Sequence, residues 1–102
     1  MPLTIQDIDF FVLSHTRANM IGTTLQSLTN QTIPPDKITV LDNASSDNTE
    51  EIVFSLGSST IEFSTLSENI GALKNMQRSQ LLTSGKYVMI FHDDDQLHPQ
   101  YI

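Results

Sequence analysis

Residues 86–95 read KYVMIFHDDD, an apolar run that ends in three adjacent carboxylates. The β-branched and aromatic character of residues 88–91 predicts a strand that is buried on both faces. The acids would then follow the carboxyl end of that strand, where open α/β sheets bind their ligands. The cluster alone leaves two interpretations open: a solvated acidic turn, or a site for a divalent cation that offsets the repulsion between neighbouring carboxylates.

Upstream of this run, strand and helix patterns alternate. Apolar runs predict strands at residues 8–13 and 38–41, and weak alternation predicts a short strand at residues 61–65. Apolar side chains at helical spacing predict a helix after each of these strands. The resulting order predicts a mainly parallel sheet with helices on both faces. The sequence therefore predicts a single α/β domain over residues 1–102.

Four polar loops follow the four predicted strands, so we expect them to meet along one edge of the sheet. They comprise residues 14–17, 42–43, 67–71 and 92–95. Asp42, directly after a buried strand, would accept hydrogen bonds from a base or a ribose. The alternative is a turn in which Asp42 bonds its own backbone.

The basic residues of the chain number only five. Arg17 and Lys74 fall near the predicted ligand edge and would pair with phosphate. Arg78 lies one helical turn after Lys74 and is predicted to be a solvated surface residue. Near the acids, the spacing of His92 and His98 matches no zinc signature, and carboxylates outnumber histidines. Oxygen-rich surroundings favour Mg²⁺ or Mn²⁺ over zinc.

Composition and charge exclude several classes. Twelve acids against five bases give a formal net charge of -7, which argues against duplex DNA or RNA as a partner. The absence of cysteine excludes disulfides, thiolate zinc sites and a cysteine nucleophile. The sequence contains neither a signal-peptide pattern nor an apolar run of membrane-spanning length, so a cytoplasmic location is predicted.

Five segments form a series in a fixed order along the chain. They are FVLSHTR at 11–17, SLTNQT at 27–32, VLDNASSD at 40–47, ENIGALKN at 68–75 and GKYVMIFHDDD at 85–95. Their order and spacing resemble the amino-terminal half of glycosyltransferase family 2. The resemblance implies a GT-A fold whose first, Rossmann-like half binds a nucleotide-diphosphate sugar, with a UDP sugar expected. The enzyme would transfer the sugar to an acceptor hydroxyl of a glycan or lipid-linked sugar.

The resemblance also implies roles for individual residues. Asp94 would bind Mn²⁺ or Mg²⁺ in the family's Asp-x-Asp motif, assisted by Asp93 or Asp95. The nucleotide would be contacted by Ser14, His15, Arg17, Asp42, Asn69, Lys74 and Asp93. Two positions depart from the family pattern: His92 stands at the motif's usual first aspartate, and His15 stands where a tyrosine is usual and would stack on the base in its place.

The family's acceptor site and catalytic base belong to a second half that lies outside these 102 residues. The leading hypothesis is therefore the donor-binding part of a glycosyltransferase, and the alternative is a nucleotide or nucleotide-sugar binding module without catalysis. A signalling receiver domain also clusters acids at strand ends, but its acidic pair comes early in the chain, so we disfavour it. Apolar surface left uncovered by the missing half predicts self-association.

Overall fold

The computed structural model of the chain describes residues 8–82 and 87–93. Within those ranges strands and helices alternate as the sequence predicts. They are β1 (Ile8–Ser14), α1 (Ala18–Thr29), β2 (Ile38–Asp42), α2 (Thr49–Ser55), β3 (Ile61–Thr65), α3 (Ala72–Leu82) and β4 (Tyr87–His92). None of these helices combines the length and the apolar character needed to cross a membrane.

The strands form one parallel sheet in the order β3-β2-β1-β4. The two most apolar runs of the amino-terminal half, β1 and β2, occupy its centre. Their register places Ser14 beside Asp42, and Asp42 lies in turn beside Thr65 of β3. The last residues of three neighbouring strands therefore form a polar row across the sheet.

Alternating side chains of the central strands cover both faces of the sheet, as expected for strands with a period of two. On one face, residues such as Val12 and Val40 pack with the buried stripe of α1 and with Val53 of α2. On the other face, Phe11, Leu13 and Leu41 form a smaller cluster, and α3 contacts β1 and β2. The predicted fold class, a parallel sheet with helices on both faces, is confirmed.

The prediction that residues 88–91 form a strand buried on both faces is wrong. In the described part of the chain β4 pairs only with β1, at the edge of the sheet. Val88 is 39% exposed and Ile90 37% exposed, whereas Phe91 is buried. Apolar composition predicted the strand but does not distinguish an edge strand from a central one.

Candidate functional site

A cleft of about 550 Å³ opens at the carboxyl ends of β1, β2 and β4, beside the start of α3. Its apolar side is formed by Leu13, Ala72, Leu73 and Met76. The structure brings five of the predicted site residues together in its lining: Ser14, His15, Arg17, Asn69 and Asp93. Loops that follow separate strands therefore meet at one edge of the sheet, as the sequence predicts, and they form this cleft.

His15 is held by hydrogen bonds on its backbone and on its ring. Its backbone N–H donates to Asp93 Oδ2 at 3.0 Å, and its Nδ1 lies 2.7 Å from the carbonyl oxygen of Asn43. Because a carbonyl only accepts, Nδ1 carries a hydrogen and donates it to Asn43. Asn69 Nδ2 lies 3.4 Å from Nε2. The imidazole is thus a fixed aromatic surface in the cleft.

Two amide side chains join the loop after β2 to the segment before α3. Asn43 Nδ2 donates to Asn69 Oδ1 at 2.8 Å, and Asn43 Oδ1 accepts from the backbone N–H of Ile70 at 2.9 Å. Asn69 Oδ1 also accepts from the Gly71 N–H at 2.8 Å. These bonds fix the orientation of both amides. Asn43 is not among the site residues predicted from the sequence, which include its neighbour Asp42 instead.

Asp42 is 2% exposed and does not belong to the lining of the cleft. Its carboxylate accepts from Ser14 Oγ at 2.5 Å, from the Ser45 N–H at 3.0 Å, from Ser45 Oγ and from Thr65 Oγ1 at 2.7 Å. Burial alone would raise the pKa of Asp42, but these hydrogen bonds outweigh it and hold the pKa below its ordinary value. The carboxylate therefore joins β1, β2 and β3 beneath the cleft.

Asp93 directly follows β4, and residues of the loop between β1 and α1 bind its carboxylate. Arg17 Nε lies 3.7 Å from Asp93 Oδ1, and the other carboxylate oxygen accepts from the His15 N–H. The Asp93 carbonyl accepts from Thr24 Oγ1 of α1 at 2.8 Å. Because Asp93 is only 7% exposed, these contacts fix the position of its carboxylate at the edge of the cleft.

The loops after β1 and β2 each contain a non-glycine residue with positive φ, Thr16 at 50° and Ala44 at 55°. Such a conformation costs of order 1 kcal/mol and persists where surrounding contacts hold it. Here the loops are bonded to each other. The Thr16 N–H donates to Ser45 Oγ at 2.8 Å, and the Ser46 N–H donates to Thr16 Oγ1 at 3.4 Å.

The two basic side chains of α3, Lys74 and Arg78, have different surroundings. Lys74 is exposed and lies outside the lining of the cleft, on the first turn of the helix. The prediction that Arg78 is a solvated surface residue is wrong, because its guanidinium donates to the carbonyl oxygens of Asp42 and Ser64. Arg78 thereby binds α3 to the carboxyl ends of β2 and β3.

The predicted metal ligands fall partly outside the described residues. Asp94 and Asp95 lie there, and Asp93 is the predicted ligand that the structure describes. Over residues 8–82 and 87–93, no group of three His, Asp or Glu side chains is arranged to hold a metal ion. The ligand atom that Asp93 offers at the cleft is a carboxylate oxygen, the type of ligand that Mg²⁺ and Mn²⁺ prefer.

Comparison with known protein families gives one match over nearly the whole chain. The family model described as glycosyl transferase family 2 matches residues 9–102. No curated protein sequence matches the chain.

Solved structures with a similar fold include complexes with UDP and with GDP-Man. S. aureus TarS 1-349 in complex with UDP has a TM-score of 0.81 and 23% sequence identity, over 92% of this chain and 29% of that chain. The mannosyltransferase PcManGT from Pyrobaculum calidifontis, in complex with GDP-Man and Mn²⁺, has a TM-score of 0.79 and 21% identity, over 88% of this chain and 28% of that one. The chain therefore spans less than a third of either protein.

Proposed function

The chain belongs to glycosyltransferase family 2, and we propose that it forms the donor-binding portion of an enzyme that transfers a sugar from a nucleotide-diphosphate sugar, expected to be a UDP sugar. The observation that carries this proposal is that the loops after β1, β2 and β4 and the start of α3 line the same cleft. The acceptor would be a hydroxyl of a glycan or lipid-linked sugar.

The aromatic and amide groups of the cleft suit a nucleoside. The His15 ring offers a face for stacking on a base, and Leu13 and Met76 supply apolar surface across the cleft. Asn69 lies within reach of His15 and offers polar contacts to the base or ribose. We assign Asp42 an indirect part in binding, because its carboxylate holds Ser14 and the loop that carries Asn43.

The start of α3 suits the diphosphate. Gly71, Ala72 and Leu73 line the cleft, and the N–H groups of the first turn of a helix lack partners within the helix. Such a terminus carries partial positive charge and favours phosphate. Lys74 on the same turn and Arg17 at the opposite loop add positive charge to this region.

A divalent cation fits the acidic end of the proposed site. Asp94, with Asp93 or Asp95, would hold Mn²⁺ or Mg²⁺, since carboxylate oxygens are the ligands these ions prefer. When bound, the cation would neutralise charge on the diphosphate leaving group. The mannosyltransferase among the structural neighbours was solved with Mn²⁺, which supports the same choice of metal here.

Calorimetric titration with UDP, with and without Mn²⁺, tests the proposal directly. We expect metal-dependent binding to the wild-type chain and weaker binding to Asp94→Ala. Asp36→Ala is the matched control, because it removes the same charge from an exposed turn before β2, away from the carboxyl edge. Binding that needs no metal and is unaffected by Asp94→Ala would contradict the site assignment. Parallel titrations with GDP and ADP measure the preference for the base.

A second candidate function is nucleotide or nucleotide-sugar binding without turnover. It is favoured by the described lining of the cleft, where Asp93 is the one carboxylate and is engaged by Arg17 and His15. A general base must lie within hydrogen-bond reach of the acceptor hydroxyl, and the family resemblance implies that this base belongs to a second half outside these residues. Transfer or hydrolysis of a labelled UDP sugar by the chain would reject the binding-only function, and binding without product would support it.

A further inference from the structure

Arg78 makes more polar contacts with other elements than any other described residue of α3. Its Nη1 donates to the Asp42 carbonyl at 3.1 Å and to Asn75 Oδ1 at 2.7 Å. Its Nη2 donates to the Ser64 carbonyl at 3.1 Å and to Ser64 Oγ at 2.7 Å. One planar guanidinium thus bridges the ends of β2 and β3 and also donates a hydrogen bond to Asn75 of its own helix.

Asn75 connects Arg78 to the cleft, because it contacts Arg78 and lies one helical turn closer to the cleft. It lies three residues earlier on the same helical face, is 3% exposed and lines the cleft. Its Nδ2 donates to the Leu41 carbonyl at 2.8 Å. Because Arg78 donates to its Oδ1, the amide can present only its nitrogen to β2. Arg78 therefore fixes the orientation in which Asn75 binds the strand.

The charge of Arg78 is balanced where it lies. Burial lowers the pKa of its guanidinium, and the negative charge of Asp42 opposes that effect. The carbonyl oxygens at the ends of β2 and β3 and the Ser64 hydroxyl satisfy its donors. Such an arrangement fits a permanent cross-link better than a group that must leave to bind a ligand.

We infer that Arg78 is a positioning residue, which holds the first turn of α3 in place as one wall of the cleft without touching the nucleotide. This inference rests on the proposed nucleotide binding and extends it to a residue outside the lining. Lysine cannot replace arginine here. A single ammonium donates from one point, whereas the guanidinium reaches two carbonyls and the Asn75 amide at once.

Two variants test the inference, Arg78→Lys and Arg78→Gln. Lys37→Gln is the charge-matched control for the second, because Lys37 pairs with Glu62 at 3.3 Å at the amino end of β2. Gln80→Ala is the helix-matched control, since Gln80 is exposed on α3. The measurements are UDP affinity by calorimetry and hydrogen exchange of the α3 backbone, at a temperature where circular dichroism shows every variant folded.

We expect both Arg78 variants to weaken UDP binding about tenfold, equivalent to one hydrogen bond to a charged group. Exchange of the N–H groups of residues 75–78, which bond back to the first turn of α3, should rise about as much. Exchange of β1, and both measurements on the control proteins, should stay at wild-type values. A merely structural role would lower stability but leave the affinity of the folded chain unchanged. Affinity within twofold of wild type in Arg78→Lys would therefore overturn the inference, as would unchanged α3 exchange.

The two proposals fail in distinguishable ways. If the wild-type chain does not bind UDP, the proposed nucleotide function fails, and the exchange of residues 75–78 alone decides whether Arg78 holds the first turn of α3. If the wild-type chain binds UDP and the Arg78 variants bind it equally well, the nucleotide function stands and the positioning role is rejected.

Discussion

Replacing Asp42 with asparagine removes the charge at the centre of the polar row and preserves the shape of the side chain. The wild-type carboxylate accepts from Ser14 Oγ, Ser45 N–H, Ser45 Oγ and Thr65 Oγ1. An amide has one acceptor oxygen. If that oxygen keeps the Ser45 N–H and Thr65 Oγ1, the amide nitrogen faces two hydroxyls, which must turn and accept instead of donating.

The expected loss of stability follows from these partners. Hydrogen bonds to a charged group contribute about 1.5–3 kcal/mol, and neutral ones about 0.5–1.5 kcal/mol. The two bonds that the amide oxygen retains therefore weaken by about 1 kcal/mol each. The hydroxyls of Ser14 and Ser45 must turn to accept from the amide nitrogen, which costs free energy. Removing a buried charge gains a roughly equal amount, so these two effects cancel. We expect Asp42→Asn to lower the free energy of unfolding by about 2 kcal/mol, against a total of about 5–15 kcal/mol for a domain.

The same substitution should change the response to acid. Because the pKa of Asp42 is lowered in the folded chain, its contribution to stability is complete above its ordinary unfolded value, about 3.9. That contribution is lost as the pH falls through the lower, folded pKa. The difference in free energy of unfolding between the wild type and Asp42→Asn should therefore be constant near neutrality. It should decrease only in acid, below about pH 4.

Urea unfolding followed by far-ultraviolet circular dichroism measures both effects, since the chain contains no tryptophan to report by fluorescence. Asp36→Asn is the control, because it makes the same chemical change in an exposed turn. It should stay within about 0.5 kcal/mol of the wild type, as surface substitutions usually do. If Asp42→Asn also stays within that range, or if the difference widens in acid, the role assigned to the carboxylate is refuted.

Two further predictions concern backbone conformation and assembly. Gly71 and Gly57 have φ of 89° and 63°, and a Cβ at either position would meet open space, so alanine should cost only the strain of positive φ, about 1 kcal/mol in thermal melts. Gly71→Ala should also weaken UDP binding because Gly71 lines the cleft, and equal affinity in Gly71→Ala and Gly57→Ala would contradict that. Exposed Val88 and Ile90 on the edge strand β4 predict concentration-dependent self-association by light scattering, reduced in Val88→Lys; a wild-type chain that stays monomeric at every concentration would refute this.

Local patterns in the sequence carried enough information to predict the order of elements and the edge of the sheet that holds the cleft. The run at β1 and the helical spacing of Ile21, Leu25 and Leu28 correspond to residues that are buried in the structure. Once the strands are parallel, their carboxyl ends lie at one edge, so the loops after β1, β2 and β4 must be neighbours. This part of the site follows from topology and needs no knowledge of side-chain contacts.

Arg78 could not be predicted in this way. On a helix, Lys74 and Arg78 at a spacing of four are typical of a solvated face. Two of the four acceptors that Arg78 binds are the backbone carbonyls of Asp42 and Ser64, which are 36 and 14 residues away in sequence. A carbonyl is present at every position of the chain, so the residue types of β2 and β3 give no signal that these two would be the partners.

The adjacent residues Asp42 and Asn43 show where register decides between two roles. Asp42 is the last residue of β2 and Asn43 is the first residue after it, so only Asp42 is paired in the row with Ser14 and Thr65. Pairing of Ser14 with Asp42, and of Asp42 with Thr65, places the carboxylate in that row, where it joins strands. Asn43 then turns toward Asn69 and the start of α3 and enters the cleft. A shift of one residue in the pairing of β2 would exchange the two roles, because the amide would occupy the row and the charge would face the cleft.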